Sequence, residues 1–173
     1  MRTLYTIGHS TRTFEQFLAL LSAYAINLVV DVRIAPTSTR SPQFNGETLA
    51  KALKVAHIGY VHLGVLGGHR RPTKDSPNQG WHNTSFRGYA DYMATDAFRE
   101  GLQKLQECAT KCTAAIMCAE AVPWRCHRSL IADALTIQGW QVYDIQSQKT
   151  AKLHRLTPFL RVHDGLLLYP ATL

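Results

Sequence analysis

The chain lacks any long hydrophobic run. Its longest apolar stretch, LALLSAYAINLVV, is broken by Ser22, Tyr24 and Asn27 and falls short of the roughly 20 residues a bilayer span needs. A membrane-spanning helix is therefore excluded, and no membrane partner is expected. Cysteine is sparse: Cys108, Cys112, Cys118 and Cys126 crowd into one short region with no C-x-x-C pair among them. That spacing fits neither a disulfide framework nor a standard zinc pattern, so free thiols in a reducing compartment are expected. Acidic residues are few, 12 against 19 lysines and arginines, for a formal charge of +7. The excess favours anionic partners. No block of five or six like charges, internal repeat or low-complexity tract occurs, so a charged disordered tail is not indicated. The amino-terminal MRTLYTIGHS lacks the apolar centre of a signal peptide, and a cytoplasmic location is expected.

What is present suits one globular domain: 173 residues, 46% of them hydrophobic. TLYTI (3–7) reads as a strand. Thr13 and Gln16 then have capping-box spacing, and Phe14, Phe17, Leu18 and Leu21 share one helical face. NLVVDVR (27–33) reads as a strand buried on both faces. A helix follows over 47–57, with Leu49, Ala52, Leu53 and Ala56 on one side, and then strand YVHL (60–63). Residues 64–85 form a long polar loop, a length usually tied to function or disorder. Helix returns near Phe86 and runs to about Cys108, with a break at Thr95–Asp96. AAIMCA (114–119) is the fourth strand. The helix after Cys126 buries Leu130, Ile131, Ala134 and Leu135 and is capped near Gly139, and WQVYDI (140–145) is the fifth strand. The tail, LHRLTPFLRVHDGLLLYP, reads as a short helix and a short edge strand. Alternating strands and helices predict one three-layer α/β domain over 1–173, Rossmann-like, with a mainly parallel five-stranded sheet, helices on both faces and a short carboxyl-terminal extension.

Ligands of open parallel sheets bind beyond the carboxyl ends of the strands, and polar groups gather there in this sequence. Strand one exits into Gly8, His9 and Ser10; strand two carries Asp31 and Arg33. Strand three delivers His62 and then Gly67-Gly68-His69-Arg70. Strand four delivers Cys118 and Glu120. The segment MCAEAVPWRCHRSLIADAL then sets Arg125, His127 and Arg128 around Cys126 at a helix start, where cations are disfavoured by about 0.3–1 kcal/mol each. Something negative belongs there. Asp31, Glu120, His9 and Cys126 are the candidate catalytic groups, and Arg33, His127, Arg128 and Ser10 the candidate anion binders. Cys126 is the most reactive candidate, since helix ends and neighbouring cations favour thiolates, with His9, His62 or His127 as a base. Cys118 to Arg125 is one residue too long for a Cys-x5-Arg phosphatase loop. A mixed site of Cys118, Cys126 and His127 with His9 or His62 is opposed by the arginines beside it, and no metal is assigned. Plainer readings stand beside these: Asp31 and Arg33 as a structural ion pair, His9 as a cap, Cys126 as a packed thiol, Trp81 as a core cover.

The segments YTIGHS, VVDVR, YVHLGVLGG, FRGYADYM and MCAEAVPWRCHRSLIADAL, with the tail HRLTPFLRVHDGLLLYP, together resemble the bacterial DUF488 family of unknown function over nearly the whole chain. The resemblance implies a compact α/β domain in cytoplasmic bacterial proteins. Its motif positions correspond to Gly8, His9, Ser10, Asp31, Arg33, Cys118, Glu120, Cys126, His127 and Arg128. It supplies no reaction.

Three readings follow. The first is an enzyme acting on a small phosphorylated or nucleotide-like anion held at the strand ends. The second is a nucleic-acid module using Arg70, Arg71, Lys74, Trp81 and Arg87. The third is a non-enzymatic domain whose polar cluster is fully paired, with no open cleft. The pattern names neither a cofactor nor an oligomeric state.

Overall fold

The computed structural model describes residues 1–172. Five parallel strands form the sheet: β1 (Arg2–Gly8), β2 (Leu28–Asp31), β3 (Gly59–His62), β4 (Ala114–Cys118) and β5 (Trp140–Ser147). A sixth strand, β6 (Thr150–Leu153), turns back antiparallel on β5, and the order across the sheet is β3-β2-β4-β1-β5-β6.

Between the strands lie helices α1 (Phe14–Ala23), α2 (Gly46–Val55), α3 (Thr84–Tyr92), α4 (Asp96–Lys111) and α5 (Arg128–Ile137). Thr13 begins α1 with a complete capping box: its hydroxyl accepts from the Gln16 N–H while the Gln16 side chain accepts from the Thr13 N–H. Thr95 separates α3 from α4 because its hydroxyl caps the new helix by accepting from the Phe98 N–H.

Strand alternation sorts side chains to opposite faces. Val29, Ala115, Met117 and Ile7 pack with Phe17, Leu21, Leu49 and Leu53 of α1 and α2. Leu28, Val30, Ile116 and Leu4 pack with Tyr89, Leu102, Leu105, Leu130 and Ile131 of α3, α4 and α5. The result is the expected three-layer domain.

The tail departs from expectation. In place of a short helix, a second sheet forms from β7 (Arg161–His163) and β8 (Leu166–Leu168), joined at Asp164-Gly165 with both residues at positive φ. An Asp-Gly pair supplies the left-handed backbone that a two-residue hairpin requires. The 64–85 loop is built rather than loose. The Asp91 carboxylate accepts from the Thr73 N–H, the Ser76 hydroxyl and the Asn78 amide, and Trp81 packs against Phe86, Phe159 and Tyr169. Trp81 thus covers core. No helix among the described residues is long and apolar enough to cross a membrane.

Candidate functional site

The chain leaves β2 toward β3 and leaves β4 toward β5, so adjacent strands part in opposite directions at their carboxyl ends. A crevice opens at such a reversal. Here it is a cleft of 680 Å³ whose lining includes Arg33, His69, Phe86, Glu120, Arg125, Cys126 and His127. Two other concavities, at Thr37–Asn45 and around Arg12 and Gln146, hold no thiol or imidazole.

The predicted site residues fall into two clusters on opposite faces of the sheet. On the side of α1 and α2, Asp31 is fully buried and grips Arg33 through two contacts, Nε to Oδ1 at 2.9 Å and Nη2 to Oδ2 at 2.7 Å. The Tyr60 hydroxyl donates to the same carboxylate, and Arg33 also donates to the Phe44 carbonyl. Burial, then the Asp31 carboxylate, push the Tyr60 phenol upward from its ordinary value. Asp31 and Arg33 therefore make a structural ion pair, with Arg33 at the cleft edge.

His9 belongs to this cluster, 3% exposed and stacked on Phe44 at 4.4 Å. Its Nδ1 lies 2.8 Å from the Ser10 carbonyl, an acceptor only, so Nδ1 carries the hydrogen; Nε2 then accepts from Arg33 Nη1 at 3.4 Å. Burial first, with the Arg33 charge opposing a second cation, lowers the imidazole below its ordinary 6.5. A depressed folded-state value means stability is complete above the unfolded value and declines as pH falls toward the folded one. The wild-type urea midpoint is expected to drop as pH falls below about 6.5, and His9→Gln to show a shallower drop; parallel curves would refute the assignment. Ser10 sits in left-handed backbone, φ 49°, with its N–H given to the Ala119 carbonyl, outside the cleft lining.

On the other face, Cys126 has extended backbone, φ −138° and ψ 147°, just before α5, and its carbonyl accepts from the Ser129 N–H. Its sulfur takes the place of a capping oxygen: the Arg128 N–H points to Sγ at 3.5 Å. His127 Nε2 lies 3.0 Å from the Val32 carbonyl, so that nitrogen donates, which leaves Nδ1 facing Cys126 Sγ at 3.5 Å. Cys118 Sγ, at the end of β4, is 2.7 Å from Cys126 Sγ. Arg128, with no exposed surface, donates from Nε to Cys118 Sγ at 3.0 Å, from Nη2 to the Glu120 carbonyl at 2.6 Å and from Nη1 to Thr6, with Asp144 at 3.7 Å.

These contacts push the two thiols in opposite directions. Burial opposes charge on both. At Cys126 the Cys118 thiol, His127 and Arg128 overcome it and hold the thiol well below its ordinary value. At Cys118 burial prevails and pushes the thiol well up. The group of the protein itself that lies among the cations at this helix start is the Cys126 sulfur. Arg128 serves the sulfurs and the Glu120 backbone and presents no free guanidinium edge to the cleft. Glu120 and Arg125 are exposed on the cleft wall.

Gly8 fixes this wall. A Cβ there would stand 1.9 Å from the Glu120 carbonyl oxygen, the atom Arg128 holds, so β1 and the 118–121 turn touch backbone to backbone.

Other sequence candidates are engaged elsewhere. His62 Nε2 lies 2.7 Å from the Arg33 carbonyl, and no group of three or more His, Cys, Asp or Glu among the described residues is arranged for a metal ion. Arg70 folds over the Tyr92 ring and Arg87 donates to the Trp81 carbonyl, so Arg71 and Lys74 are the exposed cations of the proposed nucleic-acid set. Sequence reasoning grouped Cys118 with Cys126 only as metal ligands and missed their direct thiol contact, and it missed Tyr60 as the third member of the Asp31 cluster. Alternation could have placed Tyr60, two residues before His62 on β3.

Comparison with curated proteins and with solved structures finds no match. The family description "Domain of unknown function DUF488" matches residues 13–135, a stretch that holds α1 to α4, β2 to β4 and most of α5 but not β1 or the tail. With the Cys118, Glu120 and Cys126-His127-Arg128 positions all inside the matched stretch, the chain belongs to the DUF488 family.

Proposed function

We propose that the protein is an enzyme that uses the Cys126 thiolate as a nucleophile on a small phosphorylated or nucleotide-like anion bound beyond the carboxyl ends of β2 and β4. The observation that carries this reading is the convergence on one cleft-lining sulfur of a helix N–H, an imidazole nitrogen and a second thiol. A thiolate held this way is ionised near neutrality and ready to attack. His127 Nδ1 is the base that receives the Cys126 proton when it is present. Arg125 and His69, both exposed on the cleft wall, meet the anion's charge, and Glu120 is the carboxylate in reach of a leaving group. Phe86 and Ile34 supply apolar walls for a base or other flat group.

The open cleft disfavours a purely structural cluster, although Asp31, Arg33 and Arg128 are paired as that reading requires. Nucleic acid as partner is weakened by the internal engagement of Trp81, Arg70 and Arg87.

Iodoacetamide alkylation tests the reading. Cys126 is expected to react at about pH 6, where an ordinary thiol with a value near 8.5 is almost inert. Inorganic phosphate or nucleoside monophosphates are expected to slow that reaction, and Arg125→Ala to remove the protection. Reaction of Cys126 only above about pH 8 would remove the nucleophile. Absence of protection by every phosphorylated compound tried would remove the substrate class.

A further inference from the structure

Cys118 has no part in the nucleophilic reaction beyond donating to Cys126, yet it is a free thiol in direct contact with the reactive sulfur. The two sulfurs, 2.7 Å apart, are already inside van der Waals contact, and no atom of another residue separates them. A disulfide requires about 2.05 Å, a closing movement of well under an ångström. Both cysteines line the cleft, so a small oxidant in the cleft reaches the sulfur of Cys126. A lone oxidised thiolate proceeds to irreversible acids; one with a resolving thiol beside it does not.

We propose that Cys126 and Cys118 form a dithiol–disulfide couple that reduces hydroperoxides, with Cys126 as the peroxidatic thiolate and Cys118 as the resolving thiol. The inference rests on Cys126 being the nucleophile. In the first step the Cys126 sulfur attacks the terminal oxygen of the hydroperoxide. The O–O bond breaks, an S–O bond forms, and the departing alkoxide takes a proton from water to leave as an alcohol. In the second step the Cys118 sulfur attacks the Cys126 sulfenic acid. The S–O bond breaks, the S–S bond forms, and hydroxide leaves with the Cys118 proton as water. Two electrons have passed from the sulfurs to the peroxide. Two equivalents of an external thiol return both cysteines to the reduced form by exchange through a mixed disulfide. The arrangement favours that return, because reduction restores the thiolate that Arg128, His127 and the α5 N-terminus stabilise.

Cys108 in the last turn of α4 and Cys112 just beyond its end lie outside the cleft lining and are removed from the test by C108S and C112S. The reduced protein carrying these two changes is treated with one equivalent of hydrogen peroxide, in the presence and absence of dimedone, and read by intact mass and peptide mapping. The expected product has lost two hydrogens, links the Cys118 and Cys126 peptides and carries almost no dimedone. Adding C118S is expected to raise dimedone labelling of Cys126 to nearly one adduct per chain, and C126S to abolish both products. A Cys126 adduct of equal yield with and without Cys118, or a peroxide-treated chain with no 118–126 link, would overturn the proposal. The link in protein that keeps both thiols decides the matter even if C118S fails to fold. Fast alkylation of Cys126 at low pH together with no link would leave the nucleophile standing and remove the redox couple alone.

Discussion

Arg128→Met is expected to lower the unfolding free energy by about 3–5 kcal/mol, the cost of removing one partner from a buried charged network. For a chain of this size that is a fall in Tm of roughly 6–20 °C. Arg128 has no exposed surface, and its guanidinium is shared among Cys118 Sγ, Thr6, the Glu120 carbonyl and Asp144. Methionine fills much of the volume but leaves Asp144 and the sulfur pair buried without a cation. The same substitution is expected to move the pH profile of Cys126 alkylation upward, because the nearest fixed positive charge is gone. Urea unfolding reads the first effect and iodoacetamide kinetics the second. Arg128→Lys keeps the charge but not the planar fork that reaches three partners, and is expected to fall between the two proteins in both measurements. An unchanged alkylation profile in Arg128→Met would show that the guanidinium does not set the ionisation of the pair.

Asp133→Ala should be comparably damaging, by about 3–5 kcal/mol, for a different reason. Asp133 is fully buried on α5 and accepts from His154 Nε2 at 2.7 Å, the Thr157 N–H at 3.1 Å, the Thr157 hydroxyl at 2.7 Å and the Tyr169 hydroxyl at 2.9 Å. One carboxylate thus fastens the whole tail to the body, while the Asn78 side chain accepts from the Tyr169 N–H to hold its far end. Loss of the carboxylate strands four donors and releases the segment they belong to. Limited proteolysis is expected to cut Asp133→Ala first within residues 154–172, at a protease concentration that leaves the parent chain whole. Cleavage spread evenly over the chain would mean that the carboxylate supports the core and not the tail in particular.

The framework was legible because local signals agree with burial. Thr13 and Gln16 announce α1, Thr95 divides α3 from α4, and the run Leu28–Asp31 has the composition of a strand covered on both sides. The tail differs from the expected helix because Asp164-Gly165, between two three-residue strands, is hairpin chemistry that outweighs the run of apolar residues beside it. The site was legible as an address but not as a geometry. That His9, Asp31 and Arg33 belong to one face and Cys118, Cys126 and Arg128 to the other depends on which strands become neighbours, a long-range fact that spacing along the chain does not carry. The clustering of cations around Cys126 marks the helix start that borders the cleft. Spacing along the chain does not carry the direct contact between the Cys118 and Cys126 sulfurs.

The missing side chain at position 8 also decides which parts of the cleft can adapt. With β1 pressed against the Glu120 carbonyl, the wall bearing both thiols inherits the stiffness of the central sheet. Guests of different bulk must be accommodated across the gap, by the stretch around Ile34–Thr37 and by Gly68, His69 and Phe86. On the proposed reading, chemistry is anchored on one bank and selectivity is left to the other.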